Sequence, residues 1–465
     1  MLPLLERVMK PSVLVTAVLG LITAVPATAL AQDQAWLKDR AAGEGAGIRA
    51  GDFELHPGAG LMFGYDSNYL RRGSTDFGGP LGALRLQLVP SLSVSTLTGP
   101  RSQGASAPTI DFRGGIALTY NEFIPLQSRE ADAIRGQRNL GGSLDFNLGI
   151  LRGRQWSGQV FGSVARQLTA SEEGIDGSFN RDTPIAGAEI GWAPGAGLFD
   201  WHVRYTFSGV FFESSEFSNL NNITNEVSTQ GRWRFLPRTA LVYDARFGFT
   251  NYPSQTTSTT VTTGSSALDK TSAHPLRARL GVTGLVTPSF AASAMVGWGA
   301  SFYSNSGAQP VQDFDSVIGQ VELKWYLTSK PSTEGTDVAS RSYLSSIAVG
   351  FQRDFFDSYI GTYYERDWGY LTLSNMFSGT FLLLVSGGVG PYRYPSIASL
   401  KQAAFTDVHV DTSLFGEYRF KDSLGVNLTL HYTQNISNTT IATDGLPDEL
   451  AYKDLEAYIG FRWFL

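Results

Sequence analysis

The stretch Leu455–Leu465 reads LEAYIGFRWFL, and the chain ends on it. Leu455, Ala457, Ile459, Phe461, Trp463 and Leu465 share one parity, while Glu456, Tyr458, Gly460, Arg462 and Phe464 share the other. A period of two is the signature of a β-strand whose faces meet different surroundings. One face here is wholly apolar; the other mixes charge, glycine and aromatic rings. A strand cannot stand alone, so the remainder of the chain must supply neighbours of the same kind.

It supplies them in number. Period-two segments run over 84–95, 109–121, 140–151, 201–212, 224–236, 239–252, 274–287, 314–328, 405–420, 423–434 and 453–465. Less regular ones cover 55–66, 156–168, 182–193, 290–304, 343–356, 363–377 and 380–392. Together they make eighteen strands of mostly 10–16 residues by this reading, against about five or six for a typical soluble strand. A tilted membrane strand needs about 9–11 residues to cross the hydrocarbon. The joints alternate as well. Short ones lie near 152–155, 194–199 (PGAGLF), 236–239 (LPRT), 287–290 (TPSF), 377–380 (FSGT) and 421–424 (KDSL). Long ones lie near 67–83, 125–137, 169–181, 253–273, 305–313, 393–404 and 435–452. The segments 96–108 and 329–342 break the alternation as long joints on the short-turn side.

Composition agrees. Charged residues make up 17% and aromatics 12%, with 51 glycines and no cysteine, which excludes a disulfide framework, a lipidation cysteine and cysteine-ligated metal. No segment after the first thirty residues reaches 18 continuous apolar residues, which excludes a helical membrane protein. At the N-terminus, Arg7 and Lys10 precede an apolar run from Val13 to Val25, then Pro26 and Ala29-Leu30-Ala31. That order describes a secretory signal peptide over 1–31. The expected organisation is therefore a signal peptide at 1–31, a short periplasmic segment at 32–54 and a barrel over 55–465. Removing 31 of 465 residues leaves 434, and losing Glu6, Arg7 and Lys10 (a net +1) takes the charge from −6 to −7. An acidic chain argues against nucleic-acid binding, which wants a basic face.

The terminal strand resembles the closing strand of bacterial outer-membrane β-barrels. The expected fold is all-β: a transmembrane antiparallel up-and-down barrel of about 18 strands (16–18). The resemblance implies that Ile459, Phe461, Trp463 and Leu465 belong to the C-terminal signal read by the barrel assembly machinery, although Leu465 stands where Phe is usual. Outer-membrane lipid is the expected surrounding. With the first strand running outward, Trp156, Trp192, Trp201, Trp233, Trp325 and Trp463, six of the nine tryptophans, fall near periplasmic strand ends. An indole favours that interface because its ring is apolar and its N–H wants a polar partner.

Charge parity identifies the wet side, since charges are costly on lipid. Arg204, Arg232, Arg234, Arg246, Arg277 and Arg279 share the inward face of four consecutive strands, a basic lumenal wall. Asp407, Asp411 and Glu417, beside His409 and Arg419, form an acidic one, and 314–328 mixes Gln320, Glu322 and Lys324. Two readings stay open: the ordinary charged interior of any water-filled barrel, or facing walls that set a transverse field across a constriction. A plug domain needs about a hundred residues ahead of the barrel, and 32–54 is too short for one. Phe212, Tyr326 and Tyr458 point inward as aromatic candidates.

Catalysis finds little support. The five histidines are His56, His202, His274, His409 and His431; folding the 405–434 hairpin about 421–424 sets His409 and His431 about five positions, roughly 17 Å, apart. No GxSxG, HExxH or phosphate-loop motif occurs. Asp313 and Asp315 in QDFDS suit a solvated acidic loop better than a calcium loop. No enzyme, metal or cofactor is expected.

The segment Gly47–Asn68, GIRAGDFELHPGAGLMFGYDSN, followed by Tyr69 and Arg71-Arg72, resembles the opening of porin-like barrels encoded with exopolysaccharide and capsule export loci, notably in myxobacteria. Gly51, Phe53, Pro57 and the run Tyr65, Asp66, Ser67, Asn68 carry that resemblance, though Asp-Ser-Asn also suits a simple loop start. It implies a conduit for exopolysaccharide, with polysaccharide and periplasmic and inner-membrane export proteins as partners. Two alternatives accompany it. A general or solute-specific uptake porin predicts trimers and an inward loop, for which 254–266 (SQTTSTTVTTGSS) is the candidate; a structural or adhesive barrel predicts function in loops such as 67–83 and 435–452.

Overall fold

The computed structural model describes residues 47–74, 79–96, 109–128, 131–169, 171–172, 175–176, 178–254, 270–304, 312–327, 345–397, 402–421, 423–442 and 447–465. The signal-peptide segment, the two anomalous long joints and nearly all of 254–266 fall outside these residues.

Eighteen long strands alternate with turns and loops: β1 Phe53–Asp66, β2 Ala83–Thr96, β3 Ile110–Pro125, β4 Asn139–Ile150, β5 Trp156–Gln167, β6 Arg181–Trp192, β7 Phe199–Phe212, β8 Asn222–Leu236 and β9 Thr239–Asn251 in the first half. The second half is β10 Ala273–Thr287, β11 Phe290–Tyr303, β12 Phe314–Tyr326, β13 Ser346–Asp357, β14 Tyr363–Phe377, β15 Phe381–Tyr394, β16 Phe405–Lys421, β17 Leu424–Ile436 and β18 Tyr452–Phe464. Each pairs antiparallel with its sequence neighbour, and β18 pairs with both β17 and β1, from Gly58↔Phe464 to Asp66↔Glu456. The sheet is therefore closed: an 18-stranded up-and-down barrel with no free edge.

Closure answers the constraint that lipid places on backbone, since every N–H and C=O must find a partner in the sheet. The outer face meets the second constraint, apolarity. On β18, Leu455, Ile459, Phe461, Trp463 and Leu465 are exposed while Asp454, Glu456, Tyr458, Gly460, Arg462 and Phe464 are buried. On β1, Leu61, Phe63 and Tyr65 point out and Met62, Gly64 and Asp66 point in. An even strand number, an apolar outer face and short turns along one rim are the architecture of bacterial outer-membrane proteins, and that is where this protein resides.

The short turns among the described residues occupy 151–155, 193–198, 237–238, 288–289 and 378–380, on the rim that also holds Phe53 and Leu465. The turn after Phe377 places both Ser378 and Gly379 at positive φ, 51° and 71°, and Thr380 N–H donates to the Phe377 carbonyl at 3.1 Å. That is the mirror-image turn whose twist suits a tight hairpin. Trp156, Trp233, Trp325 and Trp463 lie exposed near this rim, joined by Phe235, Phe377, Phe381, Tyr418 and Phe420. Trp156 also sits 5.9 Å from Trp192 between ring centroids, and the belt marks the periplasmic interface.

Candidate functional site: the lumen and its outer mouth

Because strands alternate, every second residue lines the lumen, and three districts differ in what they put there. The first spans β7–β10. Register carries an inward row from Arg204 on β7 to Ser228 on β8, Arg246 on β9 and Arg277 on β10. Nearer the turn rim, Asp200 faces Arg232; one step further out, His202, Gln230, Asp244 and Arg279 align. All six arginines of the sequence reading share this wall, but acids are interleaved among them. Arg204 reaches Glu189 at 2.5 Å, Arg232 Asp200 at 2.9 Å, Arg246 Asp244 at 3.2 Å and Arg279 Asp244 at 2.9 Å. His202 lies between Asp200 at 2.8 Å and Glu189 at 2.9 Å. Arg277 reaches over β11 and β12 to Asp354 on β13 at 2.9 Å, a path left open by Gly297 and Gly299. Arg234 makes no ion pair among the described residues. Most of these groups remain partly exposed to the lumen.

The second district is the seam, β16–β18 with β1–β3. Here the inward groups are almost wholly buried: Glu417, Arg419, Asn427, Asp454, Glu456, Tyr458, Arg462, Asp66, Arg85, Gln87 and Asn121. Glu417 accepts from Arg419 Nε and from Arg462 Nη2, both at 2.6 Å. Of the three acids named from sequence, Glu417 is thus locked in an ion-pair triad. Asp411 pairs with His431 at 3.0 Å, and Asp407 accepts from Asn435 at 3.2 Å. The register sets Ser413 opposite His431, so His409 and His431 stand four positions apart, about 13 Å, instead of five. His409 instead stacks on Tyr392 at 3.9 Å.

The run Tyr65–Asn68 forms the loop-side end of this seam. Ser67 N–H donates to the Leu455 carbonyl at 3.0 Å and Leu455 N–H to Ser67 Oγ at 2.7 Å. Asn68 N–H contacts both Asp66 Oδ1 (3.1 Å) and Asp454 Oδ1 (3.2 Å), and its side-chain amide donates to the Lys453 carbonyl at 3.1 Å. So Asp66, Ser67 and Asn68 clasp the first strand to the last. At the turn-side end Leu465 N–H donates to the Pro57 carbonyl at 3.0 Å. Asp313 and Asp315 are engaged locally: Asp313 accepts from Tyr303 N–H at 2.8 Å and Asp315 from the Trp298 indole.

The third district is the outer mouth, and sequence reasoning missed it. Phe179, Phe212, Phe217, Leu220, Ile360, Tyr364, Tyr392, Tyr394, Ile397, Ile441 and Leu450 form one buried cluster. Its members come from the connections after β5, β7, β13, β15 and β17 and from the strand ends beside them. Tyr359, in the β13–β14 loop, lies 5.9 Å from both Phe179 and Phe212 between ring centroids, and 5.7 Å from the Arg181 guanidinium. Six strand spacings separate β7 from β13, roughly 29 Å along the wall at about 4.8 Å each. Such a contact therefore crosses the barrel interior; it does not follow the wall. Beneath it, Tyr364 stacks on Tyr392 at 4.8 Å and 6°, and Arg366 lies 4.2 Å over Phe356. The β9–β10 side joins through Lys270, which donates to the Asp357 carboxylate at 3.2 Å and the Gly361 carbonyl at 2.8 Å. Tyr252, beyond the end of β9, donates to Asp357 at 2.5 Å, and its burial with that carboxylate holds the phenol well above its ordinary pKa.

No protein-family model matches the chain, and no curated protein matches it. Solved structures similar to it include a BenF-like porin from Pseudomonas fluorescens Pf-5 (11% identity, TM-score 0.46, covering 89% of this chain and 99% of that one). The outer membrane protein OpdK from Pseudomonas aeruginosa is similar at 10% identity and TM-score 0.42, over 89% and 99% of the two chains. The FrpB iron transporter from Neisseria meningitidis (F3-3 variant) is similar at 7% and 0.44, over 90% and 82%. Identities this low say nothing of substrate, and these likenesses lend no support to exopolysaccharide export.

Proposed function

We propose that the protein is a solute-selective channel of the outer membrane, admitting small hydrophilic molecules to the periplasm through a narrowed outer mouth. One observation carries the reading: an 18-stranded ring is wide enough for an aqueous channel, yet the mouth is bridged by the Phe179–Phe212–Tyr359 contact. A wide-open pore has no use for such a bridge, and a purely structural barrel has no use for the partly exposed arginine row beneath it. The row β7–β10 is the proposed selectivity element, with Arg234, which makes no ion pair among the described residues, its most available charge. The export reading rests on the Gly47–Asn68 resemblance alone, and a bridged mouth does not favour a bulky polymer.

Planar-bilayer conductance of the refolded protein tests this. Small, ion-selective steps are expected, growing when Tyr359→Ala and Phe217→Ala open the bridge. Arg246→Glu should move the reversal potential in a salt gradient toward cations. Large steady conductance in the wild type, unchanged by Tyr359→Ala, would overturn the selective reading; block of that conductance by added polysaccharide would restore the export one.

A further inference from the structure

We infer that Asp66, Asp454 and Glu456, assisted by Thr433, form a divalent-cation site of calcium size spanning the barrel seam. Asp66 on β1 and Glu456 on β18 are cross-strand partners, and Asp454 lies two residues earlier on the same inward face. All three are buried, and one oxygen from each lies within 4.8 Å of the other two. Calcium takes oxygens at about 2.3–2.6 Å in loose geometry, so oxygens up to roughly 4.8 Å apart fit around it. Magnesium, with its strict octahedron and its reluctance to shed water, suits an irregular, buried protein cage less well. Three buried carboxylates this near repel one another unless a cation or shared protons intervene.

Thr433 supplies the independent observation. It sits on β17 directly opposite Asp411 on one side and Asp454 on the other, facing the lumen with them. It is 8% exposed, and its Oγ1 has no hydrogen-bond partner. A buried hydroxyl flanked by two carboxylates has acceptors at hand, and leaving it unbonded is costly. A hydroxyl that turns its lone pairs toward a cation shared with Asp454 accounts for the orphaned state. Arg71 Nε stands 4.0 Å from Asp454 and His431 3.5 Å from Glu456, and the buried Arg85 lends its positive charge to the same cluster. Tyr458 donates to Glu456 at 3.1 Å and Ser67 to Asp454 at 3.2 Å, which orients the carboxylates. The ion would pin β1 to β18 just inside the Asp66–Asn68 clasp, whatever the lumen conducts.

The full chain, refolded in detergent free of lipopolysaccharide, is titrated with calcium by calorimetry, and its thermal unfolding is followed with calcium or with EDTA. We expect one saturable calcium per chain, weaker magnesium binding, and a calcium-dependent rise in unfolding temperature. Asp454→Asn and Glu456→Gln should weaken binding at least tenfold and abolish the thermal shift; the isosteric Thr433→Val should weaken it severalfold. Thr433→Val keeps the acids intact, so it decides the matter if an acid variant fails to fold. Calcium binding equal in wild type and all variants would overturn the site. So would stability that follows pH but ignores calcium, since the acids would then share protons only.

Discussion

The seam wall and the β7–β10 wall line the same lumen with the same kinds of charge, yet they use them differently. Around Glu417 the charges are sealed: Glu417 and Arg462 are 1% and 2% exposed by side chain, and their partners are protein groups. Around Arg204 they face the lumen: Arg204 and His202 remain 32% and 25% exposed. A sealed triad ties β16 to β18 across β17, beside the closing pair of β18 and β1. An open row retains its capacity to meet a passing solute. Burial, more than charge, separates the seam wall from the wall proposed as the selectivity element.

The sharpest way to break that comparison is to delete one acid from each wall. Glu417→Ala takes from the buried Arg419 and Arg462 the carboxylate they share, and removing one partner of a buried pair typically costs about 3–5 kcal/mol. Urea unfolding of the refolded barrel, read by heat-modifiable gel mobility, should show that loss. Asp200→Ala, which leaves His202 its Glu189 partner and lies in a wall with more access to the lumen, should cost less than the Glu417 deletion. Equal losses would mean that both walls are structural.

A smaller effect sharpens the role of the seam. Gly64 faces Tyr458 across the β1–β18 pair, and a Cβ there would stand 2.1 Å from the Tyr458 ring and 2.3 Å from the Ala457 carbonyl oxygen. The second atom is backbone, so the strands themselves must part. Gly64→Ala should cost about 1–3 kcal/mol, the usual range for overpacking. Gly158→Ala on β5 meets nothing closer than 3.8 Å and should stay within about 0.5 kcal/mol. Comparable losses at both sites would place the strain outside the seam.

Much of this was legible in the chain itself. Eighteen strands, their parity and the turn rim follow from period two, because lipid on one side and water on the other force the alternation wherever a strand crosses. The inward arginines could be named for the same reason. Their partners could not: Arg277 meets Asp354 across two intervening strands, a relation no local pattern encodes. The mouth was invisible because Phe179, Phe217 and Tyr359 sit in connections without periodicity and meet across the barrel. Asp66, Ser67 and Asn68 stood out in sequence as a family-like motif, yet their bonds go to Asp454 and Leu455 at the far end of the chain. Position along the chain gave no hint of that meeting; closure of the ring created it.

The smallest expected effect lies outside both walls, in the loop after β7. Glu213 pairs there with Arg166, Oε2 accepting from Nη2 at 2.8 Å, and that guanidinium holds the Glu213 carboxyl below its ordinary range. A depressed folded pKa stabilises above the unfolded value, about 4.3 for glutamate, and the contribution fades as pH falls through the folded value. The side chain is largely exposed, so solvent and salt screen the pair and its worth stays under about 1 kcal/mol. Glu213→Gln should therefore lower stability slightly at pH 7 in low salt, with the difference vanishing at pH 3 or in 1 M salt. The seam triad, shut away from solvent, should keep its contribution in that same salt. If salt erased the Glu417→Ala penalty as readily as the Glu213→Gln one, the seam would be open to water, and the distinction between a sealed and an open wall would fail.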